Sequence, residues 1–222
     1  MRMAALLSRL ALGPPKALFS ASLPVFSGFM SELLHSPIPT FAVWDNVFTP
    51  AELNMLTAFG DSLTAQVATL KSADPKGAVR GDTRITQTAW MPPSPQSQWI
   101  YDRIQRVASS LNERSYQFDL RGFSENFQYT IYHGSEGGHY DWHVDQGLLK
   151  VQRKFSISVQ LSDPNDYEGC NLELQAGNRV ETAPRAKGSV IAFPSYVLHR
   201  VTPCTRGTRK ALVAWITGPK FR

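Results

Sequence analysis

The pattern of apolar and polar positions divides the chain into a helical first half and a β-rich second half. Leu53, Leu56, Phe59, Leu63, Val67 and Leu70 recur at helical spacing and make one apolar stripe. Thr49-Pro50-Ala51-Glu52 marks where that helix begins: a capping threonine, proline at the first helical position, glutamate three after the cap. Ile100, Ile104, Val107, Ala108 and Leu111 predict a second helix. Both stripes read as packing faces laid on a sheet. Phe41-Ala42-Val43-Trp44 and Thr83 to Met91 predict strands, the second ended by Pro92-Pro93, and Ser72 to Asp82 is polar loop.

From Arg121 the period drops to two. Residues 127–132 alternate, and Phe155-Ser-Ile-Ser-Val-Gln-Leu161 alternates strictly, which predicts a half-buried strand. Asn171 to Leu174, Ser189 to Phe193, Leu198 to Thr202 and Lys210 to Ile216 supply further short strands, with turn residues at Asp163-Pro164-Asn165-Asp166 and Glu168-Gly169. The expectation is an α+β chain: a β-barrel or jelly-roll core with N-terminal supporting helices. The divisions predicted are a disordered or targeting-like extension over 1–29, a helical support region over 30–120 and a β-core over 121–222.

At 222 residues, with 42% hydrophobic and 18% charged residues, the chain can bury a full core. The absence of any long apolar run argues against a membrane span. Arg2, Arg9 and Lys16 supply more than half of the net +5, and the first acid is Glu32, so the core carries little excess charge and no nucleic-acid partner is expected. The acid-poor N-terminus reads as a transit-like segment or as an extension ahead of a start at Met30. Two cysteines, Cys170 and Cys204, make no disulfide framework, so a reducing, cytoplasmic compartment is expected.

The chemistry concentrates in Gly137-Gly138-His139-Tyr140-Asp141-Trp142-His143-Val144-Asp145. Residues two apart on a strand share a face, so His143 and Asp145 point the same way and Val144 points away. An imidazole and a carboxylate there are two-thirds of a two-His-one-carboxylate iron triad. His199 is the candidate third ligand. Three protein ligands leave room on an octahedral ion for a bidentate 2-oxo acid and O2. The far carboxylate of 2-oxoglutarate then needs a fixed cation, and Arg209 offers a bidentate fork. A hairpin through Pro203-Cys-Thr-Arg-Gly207 would set His199 and Arg209 on neighbouring antiparallel strands. Plainer readings stand beside these: core histidines, a turn aspartate and a surface arginine. Asp141 reads as a rim residue, His35, His133 and His139 as loop histidines, and Arg200 and Arg206 as solvated charge.

From about Phe127 onward the chain resembles the Fe(II)- and 2-oxoglutarate-dependent dioxygenases, in particular the prolyl-4-hydroxylase-like, PKHD-type hydroxylases. The residues that carry the likeness are Tyr140-Asp-Trp-His143-Val-Asp145, Val159-Gln-Leu-Ser-Asp-Pro-Asn-Asp-Tyr-Glu-Gly169, Phe193-Pro-Ser, His199-Arg-Val-Thr-Pro and Gly207-Thr-Arg209. The resemblance implies a double-stranded β-helix holding iron through His143, Asp145 and His199, with Arg209 as the 2-oxoglutarate anchor. It further implies Tyr132 as a cosubstrate-binding tyrosine, Trp215 near the pocket, and ascorbate keeping the iron reduced. Hydroxylation of a peptidyl proline, with release of succinate and CO2, is the reaction expected. A small molecule or free amino acid is the alternative substrate, and a halogenase, a nucleic-acid demethylase and a non-catalytic metal-binding jelly roll are competing readings. Asp145 argues against the halogenase, whose site replaces the carboxylate. Cys170-Asn171 departs from the Gly-Glu usual in the group, at a place expected to lie away from the ligands.

Overall fold

The computed structural model describes residues 38–68, 83–146 and 152–220. The expected extension over 1–29, the start at Met30, His35, Leu70 and the loop over 72–82 lie outside them. The chain divides after Pro37, and the fold is that of the unit spanning 38–222. Among the described residues there are fourteen strands and two α-helices, none of the helices long and apolar enough to cross a membrane.

Helix α1 (Pro50–Ser62) starts as its sequence dictates. The Thr49 hydroxyl accepts from the Glu52 amide at 3.2 Å, and the Glu52 carboxylate accepts from the Thr49 amide at 2.8 Å, a closed capping box. The predicted stripe runs past the true end. After Ser62 the chain turns extended at Leu63, and Gln66–Val67 (β2) pairs with Gln87–Met91 (β4), leaving Val67 61% exposed. Gly60 lies against Tyr129, where a β-carbon would come within 2.4 Å of the ring, so the last turn of α1 sits close on the sheet. Sheet-edge hydrogen bonds, not helical periodicity, decide the path beyond it. Helix α2 (Gln98–Ser115) buries the predicted stripe and adds Tyr101, whose hydroxyl donates to the Met91 carbonyl at 2.7 Å.

Two antiparallel sheets make up the rest. The larger runs β1 (Ala42–Trp44), β12 (Val190–Pro194), β8 (Arg153–Gln160), β14 (Cys204–Thr217), β6 (Phe127–His133), β4, β2, and β5 (Gly122–Phe123) and β9 (Tyr167–Gly169) also pair with β14. The smaller runs β11 (Arg179–Thr182), β10 (Leu172–Ala176), β13 (Leu198–Val201), β7 (His139–His143), β3 (Arg84–Ile85). Strands from before residue 121 thus enter both sheets.

Alternation on the larger sheet assigns each face its job. Phe127, Tyr129, Phe155, Ile157, Val159, Leu212, Ala214 and Ile216 form one cluster with Leu53, Leu56, Ile100, Ile104 and Leu111 of the helices. The opposite face carries Gln128, Thr130, Ser156, Ser158, Gln160 and Arg209, all buried. Tyr132, Ile191 and Phe193 of that face pack on Leu172, Leu174 and Val201 of the smaller sheet. The half-buried reading of 155–161 is therefore corrected: every residue of β8 is buried, because helices cover one face and the second sheet the other. Its polar positions face an interior, not solvent.

Candidate metal centre

Register places the two histidines. His143, the last residue of β7, lies directly opposite His199 of β13, with ring centroids 4.1 Å apart. Strand β7 ends at His143, so Asp145 does not continue it as expected; it sits in the following bend. Its carboxylate still reaches the same point because the larger sheet holds it there: the Ser156 hydroxyl donates to Asp145 Oδ2 at 2.7 Å and lies 2.9 Å from the Ser195 hydroxyl. Val144 points outward, 41% exposed.

Nε2 of His199 lies 3.6 Å from Asp145 Oδ2 and Nε2 of His143 lies 4.0 Å from Oδ1, and the three donor atoms fall within 4.8 Å of one another. Cis ligands with ~2.1 Å bonds stand roughly 3 Å apart, so the set is slightly open for a first-row ion. Each imidazole carries its other nitrogen against a carbonyl: His143 Nδ1 to Asp141 O at 2.7 Å, His199 Nδ1 to Val197 O at 2.9 Å. A carbonyl can only accept, so both Nδ1 atoms carry a hydrogen, and each Nε2 is the atom that turns toward the carboxylate. Burial, with His199 adding to it, pushes His143 down to about 3. Burial alone would raise the Asp145 carboxyl, but His199, His143 and Ser156 outweigh it and hold it below its ordinary value. Two imidazoles and one carboxylate are the donor set a hard-to-borderline divalent ion takes.

Around this set the walls are aromatic and cationic. Tyr140 stacks on His143 at 3.5 Å between centroids, and Phe193 meets His199 edge-on at 4.7 Å. Trp215 directs its buried indole N–H toward Asp145 without closing a hydrogen bond. Arg153 lies over Trp215 at 3.8 Å, forks onto Glu125 at 2.6 Å and approaches Asp145 to 3.9 Å.

Arg209 is 2% exposed and lies opposite Tyr132 in the β14–β6 register, its Cζ 5.5 Å from that ring. Its Nε and Nη2 both donate to the Gln160 amide oxygen, at 3.2 and 2.9 Å. Among the described residues no acidic side chain pairs with it. The hairpin expected to join His199 and Arg209 does not form: β13 belongs to the smaller sheet and β14 to the larger. The chain crosses between sheets at Pro203, and Gly207 (φ 72) approaches the Asp166 carbonyl so closely that a β-carbon would sit 1.9 Å from it. The two residues therefore stand on different sheets and not along one ladder.

Cys170 packs nearby. It is fully buried, adopts the left-handed φ of 54 that favours glycine, and its thiol, pushed up to about 12 by burial, faces Arg209 and Cys204. It is thus beside Arg209. Arg200 and Arg206 lie in outer pairs with Glu173 and Glu168, and His133 bonds to Thr208. Sequence reading missed Ser156, Gln160, Tyr140 and Arg84. Ser156 and Gln160 were visible only as the polar half of an alternation, and Arg84 carried no motif.

Residues 127–217 match the family model described as the 2OG-Fe(II) oxygenase superfamily. A PKHD-type hydroxylase of Acidovorax ebreus is 36% identical over 89 residues, covering 37% of this chain and 39% of that protein. The matched stretch thus spans about two fifths of the curated relative. The fold is similar to a Trichoplax adhaerens prolyl hydroxylase solved with a hypoxia-inducible-factor degradation-domain peptide (TM-score 0.66, 17% identity, 85% of this chain and 86% of that one). It is similar as well to a Pseudomonas putida prolyl-4-hydroxylase (TM-score 0.61, 18% identity, 87% and 99%). The resemblance read from the motifs is borne out over this segment.

Proposed function

We propose that the chain is a 2-oxoglutarate-dependent dioxygenase that hydroxylates an unactivated C–H bond, on a peptidyl proline, with release of succinate and CO2. The observation that supports it most is one interior that combines two histidines and a buried carboxylate with a buried arginine that has no acidic partner among the described residues. His143, Asp145 and His199 would hold Fe(II), and the donor types fit it. The bound iron supplies the activation of O2 that no side chain provides.

The chain's own residues do the rest. Arg209, aligned by Gln160, receives the far carboxylate of 2-oxoglutarate, and Tyr132 beside it completes that end. Ser156 keeps the Asp145 oxygens turned toward the histidines. Tyr140, Phe193 and Trp215 exclude water around the reacting centre. Residues 121–222 are the catalytic core in this reading, 30–120 its helical support and 1–29 an extension. Ascorbate as iron reductant, a polypeptide substrate and a cytoplasmic setting belong to the same proposal.

The test is aerobic turnover with Fe(II), 2-oxoglutarate and ascorbate over a panel of proline-containing peptides. Succinate release coupled to a +16 Da product is the expected result. Succinate release with no peptide modified, but with a free amino acid or other small molecule gaining oxygen, would move the assignment to the alternative substrate class. Iron binding with no 2-oxoglutarate consumed under any condition would contradict the enzymatic reading and leave a metal-binding module.

A further inference from the structure

Arg84 is the charge in this interior that the proposed chemistry leaves unused. It sits on β3, opposite Tyr140 of β7, and is 8% exposed. Its Cζ lies 4.5 Å over the Tyr140 ring, which also stacks on His143. The side chain crosses to the larger sheet, where Nη2 donates to the Gln128 amide oxygen at 3.2 Å. Its Nε is buried with no hydrogen-bond partner.

Among the described interior arginines it shares with Arg209 the lack of an acidic partner. Arg153 forks onto Glu125. Arg185 also has an unpaired Nε, but its Nη2 is held by the Pro164 and Tyr167 carbonyls at 3.1 and 2.9 Å, a bond pattern that ties a loop. Arg84 has one neutral amide and one ring, and among the described residues no acidic side chain pairs with it. Burying a guanidinium without an anion is strongly unfavourable, and a single amide oxygen answers little of that cost. The fold tolerates such a group where an anion arrives from outside.

We propose that Arg84 forms a second carboxylate subsite, on the Tyr140 side of His143. The ligand chemistry is a carboxylate, presented to a guanidinium held by Gln128 and Tyr140. Two sources offer that group: the iron-side carboxylate of the 2-oxo acid, or a carboxylate on the substrate. Arg84 is then a binding residue that discriminates 2-oxo acids or acidic substrates by charge. The inference rests on the dioxygenase reading.

The experiment uses the full chain with Fe(II), anaerobically, reading the visible charge-transfer band during titration. The probes are 2-oxoglutarate and pyruvate, which keeps the iron-side carboxylate and lacks the far one. A second arm titrates N-acetylproline and N-acetylproline amide into the iron–2-oxoglutarate complex and reads tryptophan fluorescence, since Trp90 lies opposite Gln128 in the sheet register and 6.3 Å from Trp215. Arg84→Gln is compared with Gln128→Glu, which supplies Arg84 with an internal carboxylate and leaves the arginine in place should the first variant fold poorly. If Arg84 meets the 2-oxo acid, both variants weaken 2-oxoglutarate and pyruvate alike, by tenfold or more, whereas Arg209→Gln weakens 2-oxoglutarate alone. If it meets the substrate, the 2-oxo acid constants hold and a fivefold or greater preference for the acid over the amide disappears in both variants. Unchanged 2-oxo acid constants, with no Arg84-dependent preference for the acid, overturn the subsite. A wild-type protein that gives no band with 2-oxoglutarate overturns the dioxygenase reading itself, a result distinct from a normal band that Arg84 does not affect.

Discussion

Ser156→Ala removes one hydroxyl and leaves the backbone, the β-carbon and all three candidate ligands in place. That hydroxyl donates to Asp145 Oδ2 at 2.7 Å from the neighbouring sheet, and this hydrogen bond fixes the carboxylate in the bend after β7. A hydrogen bond to a charged group contributes about 1.5–3 kcal/mol. Loss of such a partner behind a metal ligand weakens metal affinity about 10–100-fold, and one decade corresponds to about 1.4 kcal/mol, so the two scales agree. The expected outcome is therefore a drop in Fe(II) affinity of about tenfold or more, read anaerobically by competition against a chromophoric chelator. Ser158→Ala, on the same buried face, is the control and leaves the affinity within about twofold. A folded Ser156→Ala protein that binds Fe(II) within twofold of wild type would refute the claim that the larger sheet positions Asp145.

The same geometry sets three further outcomes. Arg209→Lys keeps the charge but loses the planar fork that grips Gln160 and a ligand carboxylate together, so the dissociation constant for 2-oxoglutarate rises about tenfold or more, measured by anaerobic titration. Leu56→Ala, at a fully buried position between α1 and the larger sheet, lowers unfolding free energy by about 2–5 kcal/mol in denaturant melts. The Glu52 carboxyl is lowered from 4.5 to about 2 by its bond to the Thr49 amide and by Arg103, so its stabilisation is present above pH 4.5 and is lost as pH falls through about 2. Wild type should therefore melt higher than Glu52→Gln at neutral pH, with the gap closing across that acid window.

The elements were legible where local chemistry agrees with tertiary packing. Thr49 and Glu52 mark a helix start by bonds made within four residues, and the alternation at 155–161 marks a strand whatever surrounds it. What alternation could not report is the environment of the second face. Ser156, Ser158 and Gln160 look solvent-facing in sequence because polar residues usually are, and only the second sheet makes them an interior. The triad was readable because His143 and Asp145 lie two apart in sequence and His199 follows in a recognisable block. Its wiring was not: His199 and Arg209 are ten residues apart but belong to different sheets, a consequence of the crossover at Pro203 to Gly207 that no hairpin rule anticipates. Arg84 was invisible for the same reason, since its meaning depends on Gln128 and Tyr140, 44 residues away in one case and across a strand pair in the other.

The proposed chemistry stands on one interior that binds iron and 2-oxoglutarate together. The direct measurement is the anaerobic visible spectrum of the purified chain with Fe(II), before and after 2-oxoglutarate, in wild type and in Asp145→Ala. A charge-transfer band should appear only when both are present, and should be lost or strongly weakened in Asp145→Ala. An iron-loaded wild type that shows no band with saturating 2-oxoglutarate would contradict a shared site.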